Sequence, residues 1–415
     1  MSELRRTLTL GGAVVVGVGS MIGAGVFAAW GPAAAAAGDG LLVGLAVAGF
    51  IAFCNATSSA QLAAIHPESG GTYVYGRRQL GEGWGHAAGW GFVVGKTASC
   101  VAMALTVGAY IAPDNMRTVA VAAVAMVTAV NIGGLSRTVA VTCVLLAVSL
   151  GSLLVVFVVG WSSAEPAGGV IDLGEGDVYG VLQSAGFLFF AFAGYARVAT
   201  LGEEVVDPER TIPRAIPAAL GGVLVVYAIV ALTLLRALPS AVLGSLDAPL
   251  RQVFDSAGSS LGPVVQVGAA IAALGVLLNL IPGISRTTLA MARHRELPHW
   301  LAHVDGTRSL PLRAELTVAA TVIVLILILD LRDAIAVSGV AVLLYYAITN
   351  GAALTLTLSQ RRFPRAFAVV GLAGCVVLIG TLPIHALVGG GGVILCGIAA
   401  RHVARRLHDL SLIHI

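Results

Sequence analysis

Twelve stretches of roughly 20 residues, each poor in charge, follow one another along this chain, and each is about the length a helix needs to cross a hydrocarbon core of roughly 30 Å. Their approximate limits are Leu8 to Ala37, Leu41 to Ile65, Ala87 to Ala112, Thr118 to Ile132, Thr138 to Gly160, Val178 to Leu201, Ile212 to Leu235, Val264 to Ala292, Leu316 to Leu329, Ala334 to Leu358, Ala366 to Leu382 and Ile384 to Ala400. The fourth and ninth are the shortest. The chain is 11% charged with a mean hydropathy of +0.94, where soluble domains carry about 25% charged residues. A water-soluble enzyme is thereby excluded. A net charge of +3 cannot build the basic face that nucleic acid requires. Backbone polar groups in lipid must be satisfied internally, so the expected fold class is an all-α integral membrane protein of 12 transmembrane helices. The cysteines Cys54, Cys100, Cys143, Cys375 and Cys396 lie scattered in apolar stretches and read as small packing residues, with no disulfide or metal pattern.

Basic residues mark the retained, cytoplasmic side of a membrane protein. With the N-terminus inside, 18 of the 24 basic residues fall in cytoplasmic segments, among them Arg5, Arg6, Arg77, Arg78, Arg137, Arg308, Arg313, Arg405 and Arg406. Only Arg117, Arg236, Arg251 and Arg332 fall outside, and Lys96 and Arg197 lie within spans. The loop from Trp161 to Asp177 holds Glu165, Asp172, Glu175 and Asp177 with no basic residue. Both termini are therefore expected in the cytoplasm. Arg5 and Arg6 precede a first stretch too long for a cleaved signal peptide. The tail Leu410 to Ile415 reads LSLIHI, which matches the in-frame translation of a sequencing-library transposon end. It is set aside as a candidate non-native tail, an ordinary frayed terminus being the alternative.

The first and sixth spans are interrupted in a matching way. Gly17, Gly19, Gly23 and Gly25 cluster in GVGSMIGAG, and Gly194 sits within FFAFAGYA. Glycine costs about 1 kcal/mol relative to alanine inside a helix. Five spans separate the two breaks, the spacing expected if residues 1–160 and 161–360 form two inverted repeats of five helices, followed by two C-terminal helices over 361–409. Broken backbone at mid-membrane is tolerated where it is buried in protein or lines a cavity. Freed amides at a half-helix start attract an anion and freed carbonyls a cation, so facing half-helix ends suit a zwitterion. Glycines that merely allow close helix packing are the competing reading.

At these residues the chain resembles the amino acid, polyamine and organocation transporter superfamily, specifically the bacterial amino acid permeases. The segments carrying the resemblance are GVGSMIGAGVF (Gly17 to Phe27), LAAIHPESGGTYVYGRRQLGEGWGHAAGW (Leu62 to Trp90), FFAFAGYARVATLGEEVVDPERTIPRAI (Phe189 to Ile216), and SRTTLAMARHRELPHWLAHV followed by PLRAE (Ser285 to Glu315). The resemblance implies a sodium-symporter-like fold with alternating access in a bacterial plasma membrane. It puts the substrate carboxylate near the amides of Ile22, Gly23, Ala24 and Gly25. The substrate ammonium would meet carbonyls around Ser20 and Met21 and from Ala191 through Phe192 and Ala193 to Gly194. Phe190 matches an aromatic that caps the substrate as a gate, and Asn279 falls on the pocket-facing stretch of the eighth span. Lipid or core packing is the alternative for Phe190, and an interhelical hydrogen bond without substrate contact is the alternative for Asn279. The chain departs from the pattern at Ala196, where relatives often carry an acid, at Ser149, near a lysine used by proton-coupled relatives, and at Gln61, where a glutamate is frequent.

Lys96 is the chain's single lysine. It lies nine residues into the third span, roughly 14 Å deep, beyond the reach of simple snorkelling. A buried lysine can release its proton near physiological pH whereas arginine stays charged, so Lys96 is the candidate coupling residue and the proton the expected coupling ion. The alternative is a fixed cation bonded to carbonyls of the broken spans, in the place a sodium ion takes in relatives. Arg197 and Glu204, seven residues apart on one helical face, form either an interfacial ion pair or a cytoplasmic gate, while Glu203, Glu204 and Arg210 are expected to stabilise the inner loop.

No acid falls inside the core of a span, which makes a cationic side chain or polyamine a poor fit. The expected function is proton-coupled uptake of a neutral amino acid, with exchange or sensing as alternatives. A channel's charge rings and an enzyme's convergent catalytic groups are not visible, and no catalytic residue, metal ligand or cofactor is assigned. Partners are the amino acid and the lipid bilayer.

Overall fold

The computed structural model describes residues 8–68, 70–133, 139–162, 177–199, 204–305 and 310–413. Each of the twelve apolar stretches is helical. Ten stretches of the described residues are long and apolar enough to cross a membrane, from Leu10–Ala28 to Ile384–His402. The helices in the ninth and eleventh positions, Leu312–Ile328 and Arg365–Thr381, have 17 residues each, about 26 Å at 1.5 Å per residue, short of the roughly 30 Å core. Extended pairing among the described residues is limited to two isolated bridges, Leu8 with Val205 and Asp305 with Leu310. Arg5, Arg6, Arg137, Arg308, Glu165, Asp172, Glu175 and Glu203 lie outside the described residues, as do the side chains of Arg405, Arg406 and the tail from Leu410.

The first span begins at Thr9, whose hydroxyl accepts from the Gly12 amide at 3.4 Å. It runs as a helix over Leu10–Met21, breaks at Ile22 (ψ 78°) and Gly23 (φ −134°, ψ −149°), and resumes as Ala24–Ala28 and Trp30–Ala37. Gly38, at φ +54°, ends it in a conformation that β-carbon-bearing residues disfavour. The sixth span runs as Val178–Phe192, tightens to a 3₁₀ turn over Ala193–Tyr195 and continues over Ala196–Ala199. A 3₁₀ segment inside a longer helix often marks a hinge or a functional site.

The remaining spans pack around these two, and the partners recur in matched pairs. The third span, Glu82–Ile111, lies against the tenth, Leu331–Leu354, as the eighth, Gly262–Arg293, lies against the fifth, Val139–Ser162. The second, Leu41–Ile65, packs on the sixth as the seventh, Pro208–Ala237, packs on the first. The fourth, Met116–Ile132, joins the third as the ninth joins the eighth, and the first meets the fifth as the sixth meets the tenth. Shifting each ordinal by five, forward for the first five spans and back for the next five, converts one member of every pair into the other.

Candidate functional site

The two breaks cross and touch reciprocally. A β-carbon on Gly25 would sit against the backbone and side chain of Ala191 in the sixth span, and one on Gly194 would strike the carbonyl of Ser20 in the first. Each span contributes one glycine and one backbone surface to the crossing, so neither glycine tolerates a larger residue without displacing backbone.

Carbonyls released at the breaks are met by side chains from three other spans. The Tyr227 hydroxyl, fully buried on the seventh span, lies 2.7 Å from the carbonyl oxygen of Met21 and 3.0 Å from that of Ala191. A phenol carries one proton, so the two carbonyls share it. On the other side, the Ala193 carbonyl accepts from Lys96 Nζ at 3.3 Å and from the Tyr346 hydroxyl at 3.2 Å. Lys96 is 8% exposed. The amides at the start of Ala24–Ala28 are a different case. Their cap, Gly23, supplies no side-chain acceptor, and the first turn of a helix has no intrahelical acceptor for its N–H groups. The Ile22 and Gly23 amides, expected from the sequence to meet the carboxylate, instead donate to the carbonyls of Val18 and Met21 at 2.8 and 2.9 Å, so an anion would be met by the start of Ala24–Ala28, where peptide dipoles favour it.

Around the crossing, Met21, Ile22, Phe190, Ala191, Phe192 and Ala193 are all buried, and Gly194 is half-buried. Ser20 is half-buried, with its hydroxyl donating to the Val16 carbonyl at 2.7 Å. The Phe192 ring lies 5.0 Å from that of Tyr227, and Tyr195 stacks on Tyr346 at 5.0 Å. Asn279 is exposed on the eighth span, its amide donating to Gly275 one turn back at 3.0 Å. Arg197 is attracted by Glu204 and repelled by Arg286 of the eighth span. Tyr227 and Tyr346 escaped the sequence reading. Their signal was a phenol within an apolar span, since a buried tyrosine hydroxyl seeks a partner.

On one side of the breaks the first span is fully enclosed by its neighbours. Val26, Phe27, Ala28, Ala29, Trp30 and Ala33 of the first span are buried at 1% exposure or less. Tyr110 donates to the Phe27 carbonyl at 2.7 Å and accepts from the Leu250 amide at 3.4 Å. Arg332 donates to the Gly244 carbonyl at 2.7 Å and pairs with Asp247 at 3.8 Å. On the other side, Val14, Val16, Val18, Gly19 and Ser20 are half-buried, and Asn279 and Arg286 are exposed.

A polar cluster ties that second side together. The Glu296 carboxylate, its side chain 2% exposed, pairs with Arg77 at 3.0 Å and accepts from the Tyr73 hydroxyl at 3.0 Å. His86 and Arg401 lie 3.7 and 3.8 Å from it. Burial opposes ionisation of Glu296, but His86, Tyr73 and Arg77 outweigh it and hold the carboxyl below the usual glutamate range. Burial and the same carboxylate push the Tyr73 phenol up. Among the described residues, no group of three His, Cys, Asp or Glu side chains is placed to hold a metal ion.

The family model for amino acid permeases matches residues 12–395. An uncharacterized transporter of Mycobacterium tuberculosis (strain ATCC 25618 / H37Rv) is 56% identical over 405 residues, covering 97% of this chain and 92% of the relative. A branched-chain amino acid permease of Bacillus subtilis (strain 168) is 24% identical over 397 residues, covering 89% of this chain and 85% of the relative. A chloroplastic cationic amino acid transporter of Arabidopsis thaliana is 27% identical over 383 residues, covering 84% and 65%.

Proposed function

The chain belongs to the amino acid permease family, as a multi-pass membrane transporter and not an enzyme, and from that premise we propose that it carries a neutral amino acid by proton-coupled alternating access. The reciprocal contact of the two breaks, Gly25 on Ala191 and Gly194 on Ser20, carries this reading. It sets the helix start at Ala24–Ala28 against Ala191 and the Ser20 carbonyl against Gly194, which supports a site shared by the two breaks. A substrate carboxylate binds the amides and its ammonium a carbonyl, without a carboxylate side chain on either span. The carbonyls of Ala191 and Ala193 already accept from Tyr227, Lys96 and Tyr346, so the Ser20 carbonyl becomes the principal ammonium seat. Phe190, buried in the sixth span, closes over the substrate, and Arg197 with Glu204 gates the inner side.

A neutral side chain is favoured because the first and sixth spans contain no carboxylate, while Lys96 and Arg197 place positive charge near the breaks. The cationic amino acid named for the chloroplastic plant relative suits such surroundings less well than the branched-chain substrate named for the bacterial relative. We read the architecture as twelve spans, with two inverted repeats over 1–160 and 161–360. The matched packing pairs support this, and an odd number of crossings turns the second repeat upside down. Both termini are assigned to the cytoplasm of a bacterial cell, and with that orientation the burial of Val26 to Ala33 in the first span supports an inward-facing reading.

Exchange without net proton movement is a second reading, favoured by the bond from Lys96 to Ala193, which suits a cation fixed in place. Counterflow in proteoliposomes with a panel of labelled amino acids tests the substrate class. Flux of neutral amino acids supports the proposal, and binding without flux would identify a sensor. Accumulation driven by an imposed pH gradient separates symport from exchange.

A further inference from the structure

We propose that the groove between Trp300 and the ninth-position helix, Leu312–Ile328, is a binding site for one anionic phospholipid, with its headgroup on Arg313 and an acyl chain along the helix. The groove has a volume of about 590 Å³ and is lined by Arg313, Leu316, Ala320, Val324 and Leu325 on the helix and by Trp300 opposite. It is open along one side, as a site filled from the bilayer must be.

Its dimensions match one leaflet. Eleven residues separate Arg313 from Val324, roughly 17 Å at 1.5 Å per residue, about half of the roughly 30 Å hydrocarbon core. Its chemistry is graded along that length. Thr317 and Thr321, which also line it, turn their hydroxyls back to their own helix, donating to the carbonyls of Arg313 and Thr317 at 2.7 and 2.8 Å. The floor is thereby apolar from Leu316 onward. Leu316 and Val324 are 48% and 53% exposed, the behaviour of side chains that face lipid tails.

The polar end is equally specific. Arginine ion pairs among the described residues fall on Arg77, Arg78, Arg332, Arg362 and Arg401, and Arg313 makes none with a described residue. Its exposed guanidinium offers the forked donors that match a phosphodiester. Trp300, 50% exposed in the short turn His299–Ala302, is the amphipathic ring expected at a membrane interface. A second copy seated by this same face would oppose Arg313 with another guanidinium and supply no counter-charge. A lipid phosphate supplies it at the depth where Arg313 sits.

The test uses the full chain in detergent, titrated with brominated phosphatidylglycerol or brominated phosphatidylcholine of identical chains. Tryptophan quenching is read as the difference between the native chain and W300F, since the sequence has five tryptophans. Brominated phosphatidylglycerol is expected to quench the Trp300 component at an about fivefold lower mole fraction than the zwitterionic lipid, the worth of one basic residue at an anionic surface. R313Q should abolish that preference and R313K retain it. Equal quenching by the two lipids, an undiminished preference in R313Q, or quenching by neither lipid would overturn the proposal.

Discussion

The ammonium of Lys96 donates to the Ala193 carbonyl at 3.3 Å, joining the third span to the turn that interrupts the sixth. A charged side chain is here bonded directly to a break. If that bond is remade during each cycle, Lys96 is where proton and substrate movements meet. K96Q is expected to lower pH-gradient-driven accumulation at least about tenfold, or roughly 1.4 kcal/mol, while counterflow persists. Accumulation that keeps its full dependence on the gradient would remove Lys96 from the coupling role.

Tyr227 offers one proton to the carbonyls of Met21 and Ala191. Phenylalanine there preserves the ring packing on Phe192 and Trp30 and removes the donor. Leaving the buried carbonyls short of a partner costs about 1–3 kcal/mol. Y227F should therefore lower the unfolding temperature and raise KM for the transported amino acid more than it lowers the maximal rate. An unchanged KM in a folded Y227F protein would show that the hydroxyl does not shape the site.

The glycines divide by what surrounds them. G194A and G25A force a methyl into the backbone of the opposing span and should each reduce transport by at least an order of magnitude. Gly221, helical in the seventh span, has open space where a β-carbon would go, so G221A should gain up to about 1 kcal/mol from helix propensity and transport normally. Rates measured in proteoliposomes at matched protein content check both halves of this contrast.

Glu296 gives the fold a defined acid sensitivity. Its folded-state carboxyl ionises below the ordinary value of 4.5, so the unfolded state takes up the proton first as pH falls. The stabilisation is complete above 4.5 and disappears as pH drops through the lower folded value. The native protein should lose melting temperature across that acid interval. E296Q should start less stable at pH 7 and show a flatter profile there, measurable by melting in detergent between pH 7 and pH 3.

Much of this architecture is legible in the sequence because lipid enforces a simple rule. A span must be apolar and long, so Gly262–Arg293 and Pro208–Ala237 stand out from their hydropathy alone. The breaks are legible too, through the glycines at 23, 25 and 194. The partners of the freed carbonyls were harder to find. Tyr227 and Tyr346 lie in other spans, and nothing local in their sequence records that they converge on Met21, Ala191 and Ala193. Asn279 illustrates the reverse: its ordinal place in the eighth span is readable, whereas its exposure depends on how neighbouring helices lean. The polar cluster at Glu296 draws on residues as distant as Arg77 and Arg401, a spacing that no periodicity reveals.

The backbone bridge near the chain's start has a mechanical consequence. The Leu8 amide donates to the Glu204 carbonyl at 3.0 Å, and the Val206 amide donates back to Leu8 at 2.9 Å. The start of the first span is thus tied to the segment Glu204–Val206 that leads into the seventh and crosses the sixth at the breaks, two attachment points along one length. A bar pinned twice to its neighbour cannot pivot alone. Under the proposed alternating access, both half-helices are expected to swing as a single yoke, and a clamp applied to either one to arrest the pair.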